Sequence, residues 1–149
     1  MATTPKTSLL TKLYYADSKT TGTRSQVIYV QEIPVLEEPA EAVTYNALDL
    51  DGERQEKTFK PIPVVTIPIL FTEAQHDELK AIADANTEKY WFVRYPDSTA
   101  TTTGKPLVKT FVGTCDLSGD AITMGDMIQE NLTLYRSSDI TESKDFPSA

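Results

Sequence analysis

The residues able to do chemistry in this 149-residue chain are few and dispersed. His76, the single histidine, sits beside Asp77 and Glu78, with no serine or cysteine fixed near it as a nucleophile. It reads as a solvated helix side chain. Cys115, the single cysteine, lies in FVGTCDL, where alternation sets it with Phe111 and Gly113. It reads as a small core residue, and alone it builds neither an internal disulfide nor a zinc site. The D-x-D-G stretch ending at Gly52 is similar to a calcium loop. With Gly52 at the loop's turn position, however, Ala47 would be the first ligand and Thr58 the bidentate acid. Asn131-Leu132-Thr133 fits a glycosylation pattern by coincidence, and no glycine-rich phosphate loop occurs. These residues predict no catalytic site, no cofactor and no metal.

Charge and composition narrow the classes further. Hydrophobic residues at 40% and charged residues at 24% are values of a globular domain, and the length suits one domain. No apolar run approaches the roughly 20 residues of a membrane span, and MATTPKTSLL lacks the apolar core of a secretory signal. The expectation is a chain that stays in the cell that makes it until release. A net charge of −8 argues against a nucleic-acid clamp, which needs a basic face to displace phosphate counterions. The charge is uneven: residues 1–25 carry four bases against one acid, and residues 26–60 eight acids against three bases. Such ends could attract one another between copies.

Periodicity predicts a mostly β domain, a sandwich or barrel with one flanking helix. Residues 1–25 read as an extended arm, 26–136 as the β domain and 137–149 as a polar tail anchored only by Phe146. Within the domain, alternation predicts strands over 26–33 and 43–50, then a long charged loop over 49–60. A proline-bearing strand over 61–71 follows, regular from Val64 onward, with Pro68 at an edge or bulge. Thr72 and Gln75 make a T-x-x-Q capping box and Glu73 lies in the first turn, so a helix is expected over 73–85 with Leu79, Ile82 and Ala83 as a narrow apolar stripe. Further strands are expected over 89–96, 106–117 and 127–136.

Several strands carry a face of small polar residues rather than charged ones. On the last strand Gln129, Asn131 and Thr133 oppose Ile128, Leu132 and Leu134. The same alternation picks Thr110, Thr114 and Asp116 on the strand before it, and Thr44 with Asn46 on the second. A solvent-facing sheet would do this, and so would the wall of a water-filled channel.

The C-terminal half resembles the tail tube proteins of long, flexible-tailed, lambda-like bacteriophages. The matching residues are the turn Arg94, Tyr95, Pro96, Asp97, Ser98 and Thr99, the central Gly113, the connection Gly119, Ala121, Ile122 and Thr123, and Ile128, Leu132 and Leu134 on the last strand. The order of elements matches over roughly 26–136. The immunoglobulin-like domain that some members append has no counterpart in the 13 residues after Arg136. The resemblance implies a structural subunit and no enzyme. Six copies would form a ring, inner sheets would join into one ring-wide β-barrel, and rings would stack head to tail around a tape-measure protein, between terminator and tip proteins, in a virion tail assembled in the host cytoplasm. DNA would pass without specific binding, and no membrane is involved. Thr44, Asn46, Thr110, Thr114, Asp116, Gln129, Asn131 and Thr133 would then face the lumen, and Arg24, Asp49, Asp51, Glu53 and Arg54 would make ring-to-ring contacts. The related type VI secretion tube is the nearest alternative; an enzyme built on His76 or a ligand-binding barrel are alternatives from other classes.

Overall fold

A computed structural model describes residues 11–49, 51–96 and 106–147. In chain order these form β1 (Lys12–Ala16), β2 (Ser25–Val27), β3 (Ala42–Tyr45), β4 (Arg54–Lys57), β5 (Val65–Leu70), the helix α1 (Glu73–Ala85), β6 (Lys89–Arg94), β7 (Leu107–Gly119), β8 (Gln129–Arg136) and β9 (Thr141–Lys144). The mostly β fold with one helix is as expected. One antiparallel sheet runs β2-β1-β6-β7-β8-β5, with β9 also on β7, and β3 and β4 form a separate two-stranded sheet. The larger sheet curls until its two ends approach. After β2 the chain turns through Tyr29, at a left-handed φ of 59°, and Val30 bridges Ile69 on the outer edge of β5. The Gln31 amide donates to the Pro68 carbonyl at 2.9 Å and the Leu70 amide to the Tyr29 carbonyl at 3.0 Å. Pro68 therefore sits on an edge, where its missing donor is no loss.

The core fills the concave side. Leu13, Val27, Ile67, Ile69, Trp91, Phe111, Leu132 and Leu134 are all buried there, and α1 adds Leu79. The helix has the expected bounds, but its expected capping box does not form. Thr72 makes no side-chain cap, and the Gln75 side chain that would return the second bond is engaged elsewhere: its Oε1 accepts from the Ile28 amide at 2.8 Å and its Nε2 donates to the Ile28 carbonyl at 3.0 Å. That clamp binds the start of α1 to the end of β2. Beyond Val27 the chain leaves the ladder, so the strand expected over 26–33 stops after its first two residues.

Three boundaries also need correction. Lys12–Ala16 is not arm, because it pairs with both β2 and β6 and its Leu13 is fully buried. The segment after Arg136 is not a free tail: Thr141–Lys144 pairs with Leu107–Thr110, and Phe146 packs edge-on against Tyr14 and Phe92. The charged loop expected over 49–60 contains a strand, since Arg54–Lys57 folds back on Ala42–Tyr45. No apolar alternation announces RQEK as a strand, because neither face of that hairpin is covered.

Candidate assembly surface

Register decides which side chains share a face, since directly paired residues of antiparallel strands point the same way. Across β7, β8 and β5, Cys115 pairs with Leu134 and Leu134 with Val65, while Leu117 pairs with Leu132 and Leu132 with Ile67. These aliphatic rows lie in the core. The alternate rows are Asp116, Thr133 and Thr66, then Ser118, Asn131 and Pro68, then Gln129 beside Leu70, with Thr114 beside Tyr135. Five expected wall residues, Thr114, Asp116, Gln129, Asn131 and Thr133, are thus gathered on one convex sheet face, together with Thr66, Ser118 and Tyr135. Of all these positions Asp116 alone carries charge. The added members escaped sequence reading because only the pairing between strands reveals them.

Thr110 lies on the same face but at its far end, where it is 2% exposed beneath the C-terminal segment beside Phe92 and Val108. It is a packed residue of the subunit. Thr44 and Asn46 belong to the hairpin, a different sheet from the other six. The expected contact residues divide similarly. Asp49, Asp51, Glu53 and Arg54 are exposed at the hairpin's outer end. Arg24 is held within the subunit, its Nη2 donating to the Lys19 carbonyl at 3.0 Å and the Pro147 carbonyl at 2.9 Å, with its guanidinium 4.7 Å from the Phe146 ring centroid. Asp97, Ser98 and Thr99 of the expected turn fall outside the described residues.

All eight residues of β3 and β4 are exposed, including Val43 and Tyr45, and Leu48 between them is fully so. The connection from β7 to β8 likewise exposes Ile122, Met124 and Met127.

The two candidate chemical residues resolve differently. His76 is not simply solvated: its Nδ1 meets the Glu130 carboxylate, which is nearly buried, and its ring lies 5.5 Å from that of Phe71. The pair ties the first turn of α1 to the start of β8. Cys115 is a buried core residue as expected. Burial first, then the neighbouring Asp116 charge, pushes its thiol up to about 11 from an ordinary 9.0, against a smaller opposing effect of Lys89. Burial and Glu78 also raise Tyr15, whose hydroxyl donates to Glu78 at 3.2 Å. Both groups ionise later in the folded chain than in the unfolded one. Their stabilising effect is therefore complete below their ordinary values and lost as pH rises through the folded ones. Urea midpoints should fall between about pH 9 and 11, and Cys115→Ala should flatten the lower part of that decline. An identical slope in the variant would contradict the assignment.

No protein-family profile and no curated protein matches the sequence. Solved structures do match the fold. A chain of the cryo-electron-microscopy structure of the anti-feeding prophage baseplate, 6-fold symmetrised, superposes with a TM-score of 0.64 over 95% of this chain and 97% of that one, at 6% identity. The two chains share a fold.

Proposed function

We propose that this chain is a structural subunit of a bacteriophage tail, six copies closing into a ring whose polar sheet faces line a channel for DNA, with rings stacked head to tail as the tail tube. The observation that carries the reading is the Thr114–Asp116–Ser118, Gln129–Asn131–Thr133 face. A passing duplex is slowed by each cation that can contact phosphate and by bare apolar surface that must be wetted. Apart from Tyr135 at one end and Pro68 and Leu70 on β5, the face is threonine, asparagine, serine and glutamine with one acid, which offers no cation and little apolar surface. The shared fold with a chain of a 6-fold symmetrised phage-like baseplate supports the same class of protein. In this reading the acids of the hairpin's outer end reach the adjacent ring, the tube forms around a tape-measure protein between terminator and tip proteins, and the chain catalyses no reaction.

The baseplate origin of that similar chain favours one second reading, a ring subunit at the end of the tail instead of one repeated along it. Purified protein distinguishes them: a tube subunit extends into stacks of many rings, whereas an end subunit stops at one or two.

The wall assignment has its own test. Replacing Asn131 and Thr133 together by lysine puts two cations per subunit at exposed or half-exposed positions away from the core. Assembly and melting temperature should hardly change, while DNA delivery by tails built from the variant should fall at least about tenfold. Undiminished delivery by fully assembled tails would place this face outside the channel.

A further inference from the structure

We infer that the acids at the outer end of the hairpin dock on a second copy of this chain, at a shelf of four cations, Lys12, Lys19, Arg24 and Arg94, gathered around Phe146. The inference rests on the ring reading and names what those acids meet in the adjacent ring. Lys12 of β1 and Arg94 of β6 are paired directly across the ladder. Like charges so placed weaken a sheet, and an anion lying against both removes that cost. The Arg24 guanidinium is 4.7 Å and the Arg94 guanidinium 5.9 Å from the Phe146 ring centroid, and Arg24 Nη2 donates to the Lys19 carbonyl. Three acids lie on the segments 12–24, 89–94 and 141–147 that build the shelf. Asp17 is taken by Lys89, Glu142 lies 4.0 Å from Lys109, and Asp145 alone remains beside four cations. Among the described residues Lys12 and Lys19 form no ion pair.

The hairpin carries the opposite charge. Asp49, Asp51 and Glu53 fall within five residues at its outer end, all exposed, with Arg54 the one cation next to them. None of the three acids forms an ion pair among the described residues, and all eight residues of β3 and β4 stand clear of their own subunit. Leu48, fully exposed beside Asp49, is the apolar side chain that such a contact covers. An anionic tip on one patch and a cationic shelf on another make a heterologous contact, the kind that repeats from ring to ring. It also removes a conflict in the channel. Arg94 pairs with Val108, which sets the Lys12–Arg94 row on the same sheet face as Thr114 and Asp116, and bare cations there would hold passing phosphate. The neighbour's acids cover and neutralise them.

Charge reversal tests the docking. One preparation carries Asp49→Lys, Asp51→Lys and Glu53→Lys, a second Lys12→Glu and Lys19→Glu, and a third all five, each checked for native circular dichroism. Sedimentation with negative-stain microscopy reads the protein concentration at which rings stack. Either reversal alone should raise it at least about tenfold. The third preparation, and the first two mixed together, should return to within about threefold of the parent, because opposite charges then meet again. Stacking of the parent should also weaken as sodium chloride rises from about 0.05 to 0.5 M. Rings that stack alike in every preparation overturn the docking and leave the tube reading standing. Loss in both reversals without rescue overturns it too, since the two charge groups then act apart. Loss on reversing the shelf alone, with the hairpin reversal silent, overturns it in favour of another anion at these cations, a phosphate backbone or an acidic protein. A parent that forms no rings overturns the tube reading and the docking together.

Discussion

Gly113→Ala is expected to lower stability by about 3 kcal/mol or more, a fall of about 10 °C in melting temperature for a domain of this size. A Cβ at this position would stand 2.5 Å from the Tyr135 carbonyl oxygen, 3.0 Å from its carbon and 3.1 Å from Arg136 Cα. All three atoms are backbone of β8, so no side chain can swing aside. The strands would have to separate at the one residue where β6, β7 and β8 are all in register, since Gly113 pairs with both Lys89 and Arg136. Its carbonyl also takes the Trp91 indole hydrogen bond at 3.1 Å, buried in the core. A larger residue is worse, and Gly113→Val should give no soluble subunit. Thermal unfolding by circular dichroism checks the alanine variant. A melting temperature within about 2 °C of the parent would mean that β8 does not approach β7 so closely.

Leu79→Asp should remove about 4 kcal/mol, because it puts an unpaired carboxylate at a fully buried position where α1 meets the sheet. Leu79→Ala is the milder form, expected at about 2–4 kcal/mol from lost contacts and the space left behind. Lys80→Ala, one residue on and pointing to water, loses only an exposed pair with Asp84 at 3.6 Å and should stay within about 0.5 kcal/mol. Urea denaturation of the three variants measures the contrast. Equal effects at positions 79 and 80 would mean that the helix does not pack by its Leu79 face.

Elements whose periodicity reflects burial could be read from the chain, and those held by distant contacts could not. The helix over 73–85 and the strands from Lys89, Leu107 and Gln129 stand near where alternation or helical spacing sets them, because each lays one apolar row into the core. Leu132 and Leu134 committed their strand's facing, and with it the polar face of Gln129, Asn131 and Thr133. β1 and β9 escaped notice because each is four or five residues long and exists through partners far along the chain, β6 for one and β7 for the other. The failed capping box has the same origin. Thr72 and Gln75 carry the local signal, but the Ile28 backbone, 47 residues away, holds the glutamine amide. His76 read as solvated for want of any sign that Glu130 lies opposite it. Thr44 and Asn46 lie in the hairpin and not in the main sheet, since alternation along Val43–Tyr45 gives a face without saying which sheet that face belongs to.

Negative-stain electron microscopy of the purified chain, across a concentration series, tests the central claim most directly. The account predicts rings of uniform width with a central channel, six-fold in projection averages and stacking into tubes as concentration rises. Compact single subunits at every concentration, with no ring in any class average, would contradict it.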